Sequence, residues 1–373
     1  MTGREKIHAA LSGGGTEEIP VVICYESIFY RDHWQEVTSC PWWYSAEADV
    51  NRQVMWREEA YPQVAQDWFH LPKGYPRESR KDISIVCGRG KAIRHNERTG
   101  EKEVIPKPEI GGAAIHEWNR RRANTWEDID NIVALVDSAG QIKTDGSRDL
   151  AEALLGGVCA GLCPGTHISS PLYSCVLLWG FEGFMLKLVD DPRLVEYACE
   201  RYCKRNRGLL AEAAALGAET VWIEECHIDM ISPAMFERFN LPYVIRLVDD
   251  IRSSGMKSVY YHCGNPAGKL ELLLRACPDA VAFEESKKGF IIDIGDIVEA
   301  VNGRCAVFGN LDAIWLLPFC TETELKCEIT RQIAAGRKNK GRFVMSIGSP
   351  VTPGTTAARV RRYCDMAREL GRL

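Results

Sequence analysis

The chain has 373 residues, of which 46% are hydrophobic, 26% charged and 9% aromatic, so it can bury a large core. Its 46 basic and 51 acidic residues give a formal net charge of -5 with no strongly basic half, which excludes a dedicated nucleic-acid-binding protein. We expect no membrane span and no secretion signal, because no apolar run approaches about 18 to 20 residues and no apolar block follows Met1. The sequence therefore predicts a cytoplasmic protein.

The 15 cysteines are scattered through apolar segments rather than spaced as a framework. Disulfides are not the default in a large protein that is not exported, and cysteine is among the most buried residue types. We therefore predict that most of them pack in the core, in a reducing cytoplasm such as that of an anaerobe. One or two remain candidates for chemistry.

The N-terminal third predicts a helix, a buried strand and an insertion. A helix begins after its N-cap Thr2, and the continuous apolar run Ile19–Tyr25 is typical of a strand buried on both faces. The first 70 residues are unusually aromatic, which predicts a packed cap or an apolar wall for a flat substrate. Residues 72–118 are rich in charge and glycine, and the segments Ile83–Cys87 and Lys91–His95 predict antiparallel strands in a small β-rich insertion.

From Asn124 onward, short apolar segments alternate with amphipathic helices. The predicted strands are Gly156–Leu162, Thr220–Glu224, Ser258–His262, Ala280–Glu284, Ala306–Gly309 and Phe343–Ser346. The predicted helices are Trp126–Val136, Ser147–Leu155, Gly180–Leu188, Pro192–Ala215, Pro242–Ser253, Gly268–Ala276, Ile294–Val301 and Glu322–Gly336. This alternation favours one α/β domain over residues 1–373, a closed (β/α)8 TIM barrel, over an open doubly wound sheet. No glycine-rich dinucleotide or phosphate-binding motif follows a strand, which weakens the open-sheet alternative.

Polar side chains are concentrated where the predicted strands end. In a TIM barrel the loops that follow the strands converge on one mouth, so these residues predict a site there. The rim residues are Tyr25–Glu26, Cys163, Glu224–His227, His262–Asn265, Glu284–Glu285, Gly309–Asp312 and Ser346–Ser349.

The rim residues most specifically predict a metal site. His262 and Cys263 offer an imidazole and a thiolate, the commonest zinc ligands, although an isolated pair of this kind is also compatible with core packing. The adjacent carboxylates Glu224–Glu225 and Glu284–Glu285 are costly to bury alone, so a metal, a substrate cation or an arginine is expected beside them. Weaker candidates at the same rim are Cys163, Cys226 and His227.

Several short motifs occur in a characteristic order along nearly the whole chain. They are the opening helix with Arg4-Glu5, Asp190-Asp191-Pro192, Ile231-Ser232-Pro233 with Phe236, Phe239 and Pro242-Tyr243, His262-Cys263-Gly264-Asn265, Gly309-Asn310-Leu311-Asp312, and Gly348 with Thr352-Pro353. As a set they resemble the uroporphyrinogen decarboxylase superfamily. The resemblance implies a (β/α)8 barrel with its site at the C-terminal mouth.

Two branches of that superfamily imply different chemistry. The decarboxylases carry an arginine-rich N-terminal signature that grips acidic side chains, whereas the segment Cys24–Arg31 here has one arginine and an additional acid. The corrinoid-dependent methyltransferases bind zinc through a His-x-Cys pair and a later cysteine. This sequence keeps the cysteine of that pair as Cys263, but Tyr261 occupies the histidine position and His262 is directly adjacent. The position of the later cysteine falls near Ser346. A polyanionic substrate is badly matched, so the resemblance points to the methyltransferase branch.

The resemblance and the rim together define the predicted function. A site of histidine, carboxylates and at most one cysteine is a hard Lewis acid, which suits an oxygen-bearing donor. We therefore expect a zinc-dependent methyltransferase of the O-demethylase type, which moves a methyl group from a small, methoxylated aromatic donor to the cobalt of a separate corrinoid protein. The expected catalytic residues are Glu224, His262 and Glu284, the expected metal ligands are these three with Cys263, and the expected substrate contacts are Tyr25, Glu26, Tyr260, Tyr261, Asn310 and Ser346.

Two alternatives stay open. A decarboxylase-like lyase without a cofactor would place several arginines or lysines at the mouth, for which Arg31 alone gives little support. A non-catalytic corrinoid-binding or scaffolding protein is the third class, but the chain has no Asp-x-His-x-x-Gly motif, so the corrinoid is expected on the partner. The expected partners are a small methylated substrate and a corrinoid protein, not nucleic acid or a membrane, and a homodimer is left open.

Overall fold

The computed structural model describes residues 1–88, 90–107, 123–287 and 289–372. Ten strands lie within these residues and form two sheets. They are β1 (Trp68–His70), β2 (Ile83–Gly88), β3 (Lys91–Asn96), β4 (Lys102–Pro106), β5 (Cys163–Ser169), β6 (Thr220–Glu225), β7 (Lys257–His262), β8 (Ala280–Phe283), β9 (Ala306–Phe308) and β10 (Phe343–Val344). Strands β1 and β5 to β10 form one curled parallel sheet of seven strands in chain order, which confirms the predicted α/β class.

Helices separate the strands of the parallel sheet and cover its outside. Their starts carry the expected signals, such as the reciprocal Thr2–Glu5 capping box of the first helix. The helices are α1 (Gly3–Leu11), α2 (Glu26–Asp32), α3 (Trp34–Val37), α4 (Val50–Val64), α5 (Arg77–Lys81), α6 (Trp126–Ile132), α7 (Ala139–Asp145), α8 (Asp149–Gly156), α9 (Pro171–Asp190), α10 (Pro192–Leu216), α11 (Pro233–Phe239), α12 (Leu241–Ser253), α13 (Leu270–Leu274), α14 (Ile294–Val301), α15 (Leu316–Phe319), α16 (Glu322–Arg337) and α17 (Ala357–Gly371). Two short 3-10 helices cover Trp42–Ala46 and Ile228–Met230.

The two edges of the parallel sheet are joined through the segment that follows α1. Val21 forms a parallel bridge with Met345, whose N–H donates to the carbonyl of Pro20 at 2.8 Å. On the other side, the N–H of Asp67 donates to the carbonyl of Val21 at 2.9 Å. The predicted strand Ile19–Tyr25 is therefore present as a bridging segment with one bridged residue rather than as a regular strand.

One strand was predicted in the wrong place. The segment Gly156–Leu162 is the end of α8 and a turn, and the strand is β5, which begins at Cys163. Pro164 and Gly165 weaken the strand signal of β5 in the sequence. Pairing between β5 and β6 begins at Gly165, one residue after Pro164. Pro164 is therefore tolerated, because no hydrogen bond to β6 requires the N–H that proline lacks. Cys163 consequently lies at the start of its strand and not at the rim.

The remaining predicted strands of the parallel sheet are present with ends within two residues of those expected. Among the helices, α14 has the predicted bounds, α6 ends earlier than predicted, and α9 begins nine residues before the predicted Gly180. Gly180 lies at a break inside α9, where φ is 72° and ψ is 166°, a conformation that glycine adopts without strain.

Helix α9 is the one described helix that is long and apolar enough to cross a membrane by length and composition, which the sequence analysis did not expect. Half of its most apolar window is buried inside the protein, and one such helix is weak evidence for a membrane span. The break at Gly180 also divides it into two shorter helical segments.

The antiparallel strands predicted from sequence are confirmed. Strand β2 pairs with β3 from Ile83 opposite Asn96 to Gly88 opposite Lys91, and β4 adds a third strand. Residues 108–118 of the predicted insertion 72–118 lie outside the described residues. The organisation of the chain as a single domain with this insertion stays a prediction.

Aromatic side chains fill the inside of the curled sheet. The rings of Trp68, Trp222 and Phe308 have their centroids 5.5 to 6.0 Å apart. In the N-terminal region the aromatic rings pack on one another, such as Trp34 on Trp56 at 4.9 Å. The structure shows this packing, while the role of these residues as a cap stays a prediction.

Candidate functional site

Side chains alternate between the two sides of β6 and β7, and the register of the strands aligns them. Glu224 lies beside Tyr261, and Glu225 lies beside His262. Trp222 stacks on Tyr261 at 4.9 Å among the rings inside the curled sheet, so Glu224 and Tyr261 share the side that faces the inside of this sheet. We call this side the inner face and the side towards the helices the outer face.

Glu224 and Tyr25, two of the residues expected at the rim, are in contact on the inner face. The Tyr25 hydroxyl donates to Glu224 Oε1 at 3.0 Å. Burial raises the pKa of Glu224, although this hydrogen bond opposes the change. Tyr25 has a left-handed backbone with φ of 53°, a conformation that is uncommon for a bulky residue and that often marks a functional site.

Two histidines that the sequence analysis missed lie next to this pair. The rings of His70 and His167 are 5.4 Å apart, and His167 is 5.6 Å from the ring of Tyr25. Burial lowers the pKa of His167 to about 3, with a contribution from His70, and burial also lowers the pKa of His70 although part of that residue reaches solvent. Both rings are therefore neutral at physiological pH. Correct placement of β5 would have put His167 on an inward position.

Two thiols lie beside each other where β6 and β7 end. Cys226 directly follows β6 and Cys263 directly follows β7, and both are partly exposed. The interaction with the Cys263 thiol, followed by burial and the charges of Glu224 and Glu225, raises the pKa of Cys226 strongly. A pair of thiols next to a carboxylate is a donor set that zinc accepts. Cys226, a weak candidate from sequence, thus belongs to the site.

The predicted cation beside Glu284 and Glu285 is a lysine of the same chain. The Lys287 ammonium forms an ion pair with Glu284 and lies 3.6 Å from Glu285 Oε1 and 3.1 Å from Ser349 Oγ. Burial opposes the lysine charge, but the two carboxylates outweigh it and raise the pKa of Lys287. The second oxygen of Glu284 accepts the N–H of Gly264 at 2.8 Å. Glu284 is therefore satisfied without a metal.

On the outer face, Glu225 is completely buried and accepts three hydrogen bonds. Ser170 Oγ donates to its Oε1 at 2.6 Å, and Asn240 Nδ2 and Tyr260 Oη donate to its Oε2, each at 2.9 Å. Burial raises the pKa of Glu225 to about 7. Alternation along β7 places Tyr260 on this face and Tyr261 on the inner face, and the contact of Tyr260 with substrate stays a prediction.

His262 also lies on the outer face. It is fully buried, with the rings of Phe236 and Phe283 at 6.5 and 6.3 Å. Its Nε2 is 3.4 Å from the carbonyl of Asn265, its Nδ1 has no hydrogen-bond partner, and burial lowers its pKa to about 4. Alternation along β7 places His262 on the face opposite Tyr261, and its role as a metal ligand stays a prediction.

Three other predicted substrate residues are engaged in internal hydrogen bonds. Glu26, whose pKa burial raises to about 7, accepts the N–H of His70 at 2.7 Å. Asn310 donates to the carbonyl of Glu284 at 3.1 Å, and Ser346 Oγ donates to a neighbouring carbonyl at 3.0 Å. Each is at least nine-tenths buried, and their contact with a substrate stays a prediction.

Within the described residues, one group of three possible metal ligands converges, and it does not lie at the mouth. The donor atoms of His8, Cys163 and Glu219 are all within 4.8 Å of one another. Cys163 begins β5 and Glu219 immediately precedes β6, so this group lies at the opposite ends of the strands. The four predicted ligands at the mouth do not converge in this way.

Comparison with known proteins places the chain in a family. Residues 165–370, more than half of the chain, match the family model "Uroporphyrinogen decarboxylase (URO-D)". The uroporphyrinogen decarboxylase of Anaeromyxobacter sp. is 26% identical over 187 residues, 50% of this chain and 51% of that protein. The chloroplastic enzyme of Zea mays is 25% identical over 183 residues, 48% of this chain and 44% of that protein. The chain thus spans about half the length of the curated relatives that it matches.

A solved structure resembles almost the whole chain. It is a methyltransferase from Methanosarcina mazei, which has 16% sequence identity, a TM-score of 0.64, and coverage of 99% of this chain and 98% of its own. At this identity the likeness establishes the fold.

Proposed function

This chain belongs to the uroporphyrinogen decarboxylase family, and from that premise we propose that it is a zinc-dependent methyltransferase. It would move a methyl group from a small, methoxylated aromatic donor to the cobalt of a separate corrinoid protein. The observation that carries the proposal is that Cys226 and Cys263 follow neighbouring strands, where the N–H of Cys263 donates to the carbonyl of Glu225 at 2.9 Å, with Glu224 two residues before Cys226 on the inner face. The fold neighbour is a methyltransferase, and the proposal extends that activity to this chain.

The proposed zinc would have a different ligand set from the one predicted, and the donor atoms would have to move closer together to bind it, because they do not converge in the structure. Cys226, Cys263 and Glu224 would hold the ion as three protein ligands, which leaves a fourth position for substrate. His262 is on the outer face, and Glu284 is already bound by Lys287 and a backbone N–H. When bound, the ion would act as a Lewis acid on the atom that carries the methyl group.

The aromatic inner face supports a flat donor. Tyr25, Trp222 and Tyr261 have their ring centroids 4.9 to 6.0 Å apart, with His167 stacked 6.0 Å from Trp222. Their edges and the Tyr25 hydroxyl would orient an aromatic ring over the thiols. Because two thiols make a softer site than expected, the preference for an aromatic ether depends on this wall and not on the hardness of the metal.

The surface around the mouth supports a protein acceptor. Four large apolar side chains in the segments that follow β6, β8 and β9 are 60% to 84% exposed: Met230, Ile291, Trp315 and Phe319. Exposed apolar side chains that lie together, such as Trp315 and Phe319 with rings 6.2 Å apart, are typical of a protein interaction surface. We propose that the corrinoid protein docks here, so that its cobalt faces the thiols.

The decarboxylase alternative has less support. Two lysines lie in the loops at this end of the strands: Lys287, which two glutamates neutralise, and Lys269, whose ammonium donates to the carbonyl of Asp229 at 2.9 Å. Arg31 pairs with Asp32 at 2.7 Å. A polyanionic ring would therefore meet more acid than base at this rim.

A spectroscopic assay tests the proposal. Free cob(I)alamin stands in for the corrinoid protein, and methoxylated aromatics and methylamines are offered in turn while the cobalt spectrum is followed. We expect methylcobalamin to form with a methoxylated aromatic, and Cys263→Ser to slow this at least 100-fold. Cys203→Ser, a change at a buried cysteine of α10, is the matched control and should retain the rate.

Two results would reject the proposal. One is an unchanged cobalt spectrum with every donor, together with release of carbon dioxide from a carboxylated ring. The other is equal rates for Cys263→Ser and the control variant.

A further inference from the structure

We propose a second metal site, built from His8, Cys163 and Glu219, that binds a zinc ion and ties α1 to the base of the parallel sheet. It does not depend on the methyltransferase proposal, since Cys163 and Glu219 lie at the starts of their strands and the mouth lies at the ends.

The three donors come from separate elements that the backbone holds together. The N–H of Arg4 in α1 donates to the carbonyl of Gly161, two residues before β5, at 2.9 Å. The N–H of Glu219 donates to the carbonyl of Pro164 at 2.9 Å. The positions of His8, Cys163 and Glu219 are thus fixed by secondary structure, not by chance contact of long surface side chains.

The distances suit zinc after small side-chain rotations. All three donor atoms are within 4.8 Å of one another, and His8 Nε2 is 2.6 Å from Glu219 Oε2. Zinc bonds of roughly 2.0 to 2.3 Å separate neighbouring ligands by about 3 to 4 Å. The His8–Glu219 contact therefore has to open slightly, and the Cys163 sulfur has to approach.

The ligand types of His8, Cys163 and Glu219 also suit zinc. A thiolate, an imidazole and a carboxylate are the ligand types that zinc takes. Cys163 is fully buried, whereas the side chains of His8 and Glu219 are 38% and 19% exposed, so the ion would enter from solvent. On binding, the S–H bond of Cys163 breaks, its proton passes to water and a sulfur–zinc bond forms, with no change of oxidation state.

Arg4 is the built-in competitor for this ion. Its guanidinium forms an ion pair with Glu219 through Nε at 2.9 Å and through Nη2. In the metal-free protein the Arg4 guanidinium therefore neutralises Glu219, and His8 shares a hydrogen bond with it. Removal of the arginine should free one carboxylate oxygen and remove a positive charge next to the ion, so Arg4→Gln should bind metal more tightly.

The expected consequence is structural. The N-terminal ends of barrel strands usually serve stability, and an ion that binds only the folded chain raises its thermal stability. Zinc would therefore raise the unfolding temperature by fastening α1 across the starts of β5 and β6.

The test is a cobalt(II) and zinc(II) titration of chelator-treated protein that carries Cys226→Ser and Cys263→Ser, so that the thiols at the mouth do not contribute. We expect a thiolate-to-cobalt charge-transfer band in the near ultraviolet, one bound ion per chain and a higher unfolding temperature with zinc. Added Cys163→Ser should abolish the band, and added His8→Ala should weaken binding at least tenfold. Added Arg4→Gln should strengthen binding several-fold.

Cys305→Ser is the matched control, because Cys305 is equally buried and immediately precedes β9 at the same end of the sheet. It should leave the titration unchanged. If Cys163→Ser does not fold, His8→Ala decides the question, since its side chain is partly exposed. The inference is overturned if the parent shows no thiolate band, if the band survives Cys163→Ser, or if His8→Ala binds cobalt as tightly as the parent.

Discussion

The two faces of β6 and β7 show how neighbouring residues acquire opposite roles. On the outer face, Glu225 has both carboxylate oxygens bonded and is sealed from solvent. On the inner face, Glu224 has one hydrogen bond, from Tyr25, and is partly accessible. The outer acid is a structural group with its capacity used, whereas the inner acid keeps an oxygen for a ligand.

The same contrast applies one strand along. His262 is enclosed by aromatic rings on the outer face, while Cys263 next to it lies beside Cys226 at the mouth. A potential metal ligand at a strand end therefore does not by itself identify a site residue, because side chains alternate and only every second position faces the site.

The largest expected effect separates the two acids by activity. Glu224→Gln should lower the methyl-transfer rate about 100-fold, because it removes a proposed ligand and the partner of the Tyr25 hydroxyl. Glu225→Gln should keep the rate within about threefold, since an amide can still accept from Asn240 and Tyr260 and donate to Ser170. Steady-state kinetics at pH 7 measure both, and similar losses in the two variants would abolish the distinction between the faces.

The next effect is on stability. Glu225→Ala should lower the free energy of unfolding by about 3 kcal/mol, because it leaves three buried donors without an acceptor. Glu225→Gln serves as the control, and denaturant unfolding provides the measurement. A loss below about 1 kcal/mol in the alanine variant would show that water replaces the carboxylate and that the outer face is not sealed.

The pH dependence of stability should also identify Glu225. Its pKa is about 7 in the folded chain, whereas an unburied glutamate has a pKa of 4.5, so between these values the folded state holds a proton that the unfolded state releases. Stability should therefore fall as pH rises through this window, by an amount of the order of 3 kcal/mol from this group.

Glu225→Gln should remove that contribution and leave the one from Glu26, whose pKa is also about 7. Unfolding curves at a series of pH values between 4.5 and 8 test this. Parallel pH profiles for the variant and the parent would show that the carboxyl group is not protonated in the fold.

The smallest effect concerns His262. Burial lowers its pKa from 6.5 to about 4, so the unfolded state binds more protons between these values and stability is lost as pH falls. His262→Leu should make this acid loss shallower, change the free energy of unfolding at pH 7 by no more than about 1.5 kcal/mol, and keep the methyl-transfer rate within about threefold.

Thermal unfolding at pH 7 and pH 5 and the cobalt assay provide these measurements. A loss of activity as large as that of Cys263→Ser in a variant with unchanged stability would return His262 to the catalytic site.

Part of the site was predictable because polar residues are concentrated at the ends of the predicted strands. Tyr25, Glu224 and Cys263 were expected at the mouth and lie there, and the acidic pair Glu284–Glu285 was expected to need a cation. Lys287 could not be identified as that cation from sequence, because it follows the strand by several residues in a loop of unpredictable course.

The sequence by itself determined the parallel α/β sheet, most of its strands and the end of the strands at which chemistry-bearing residues gather, because these follow from local apolar periodicity. Only the tertiary structure decided which member of each pair of neighbours faces inward, and that His70, His167 and Cys226 join the site. The physical reason is that a strand has a period of two, so a register set by distant partners moves every side chain from one face to the other.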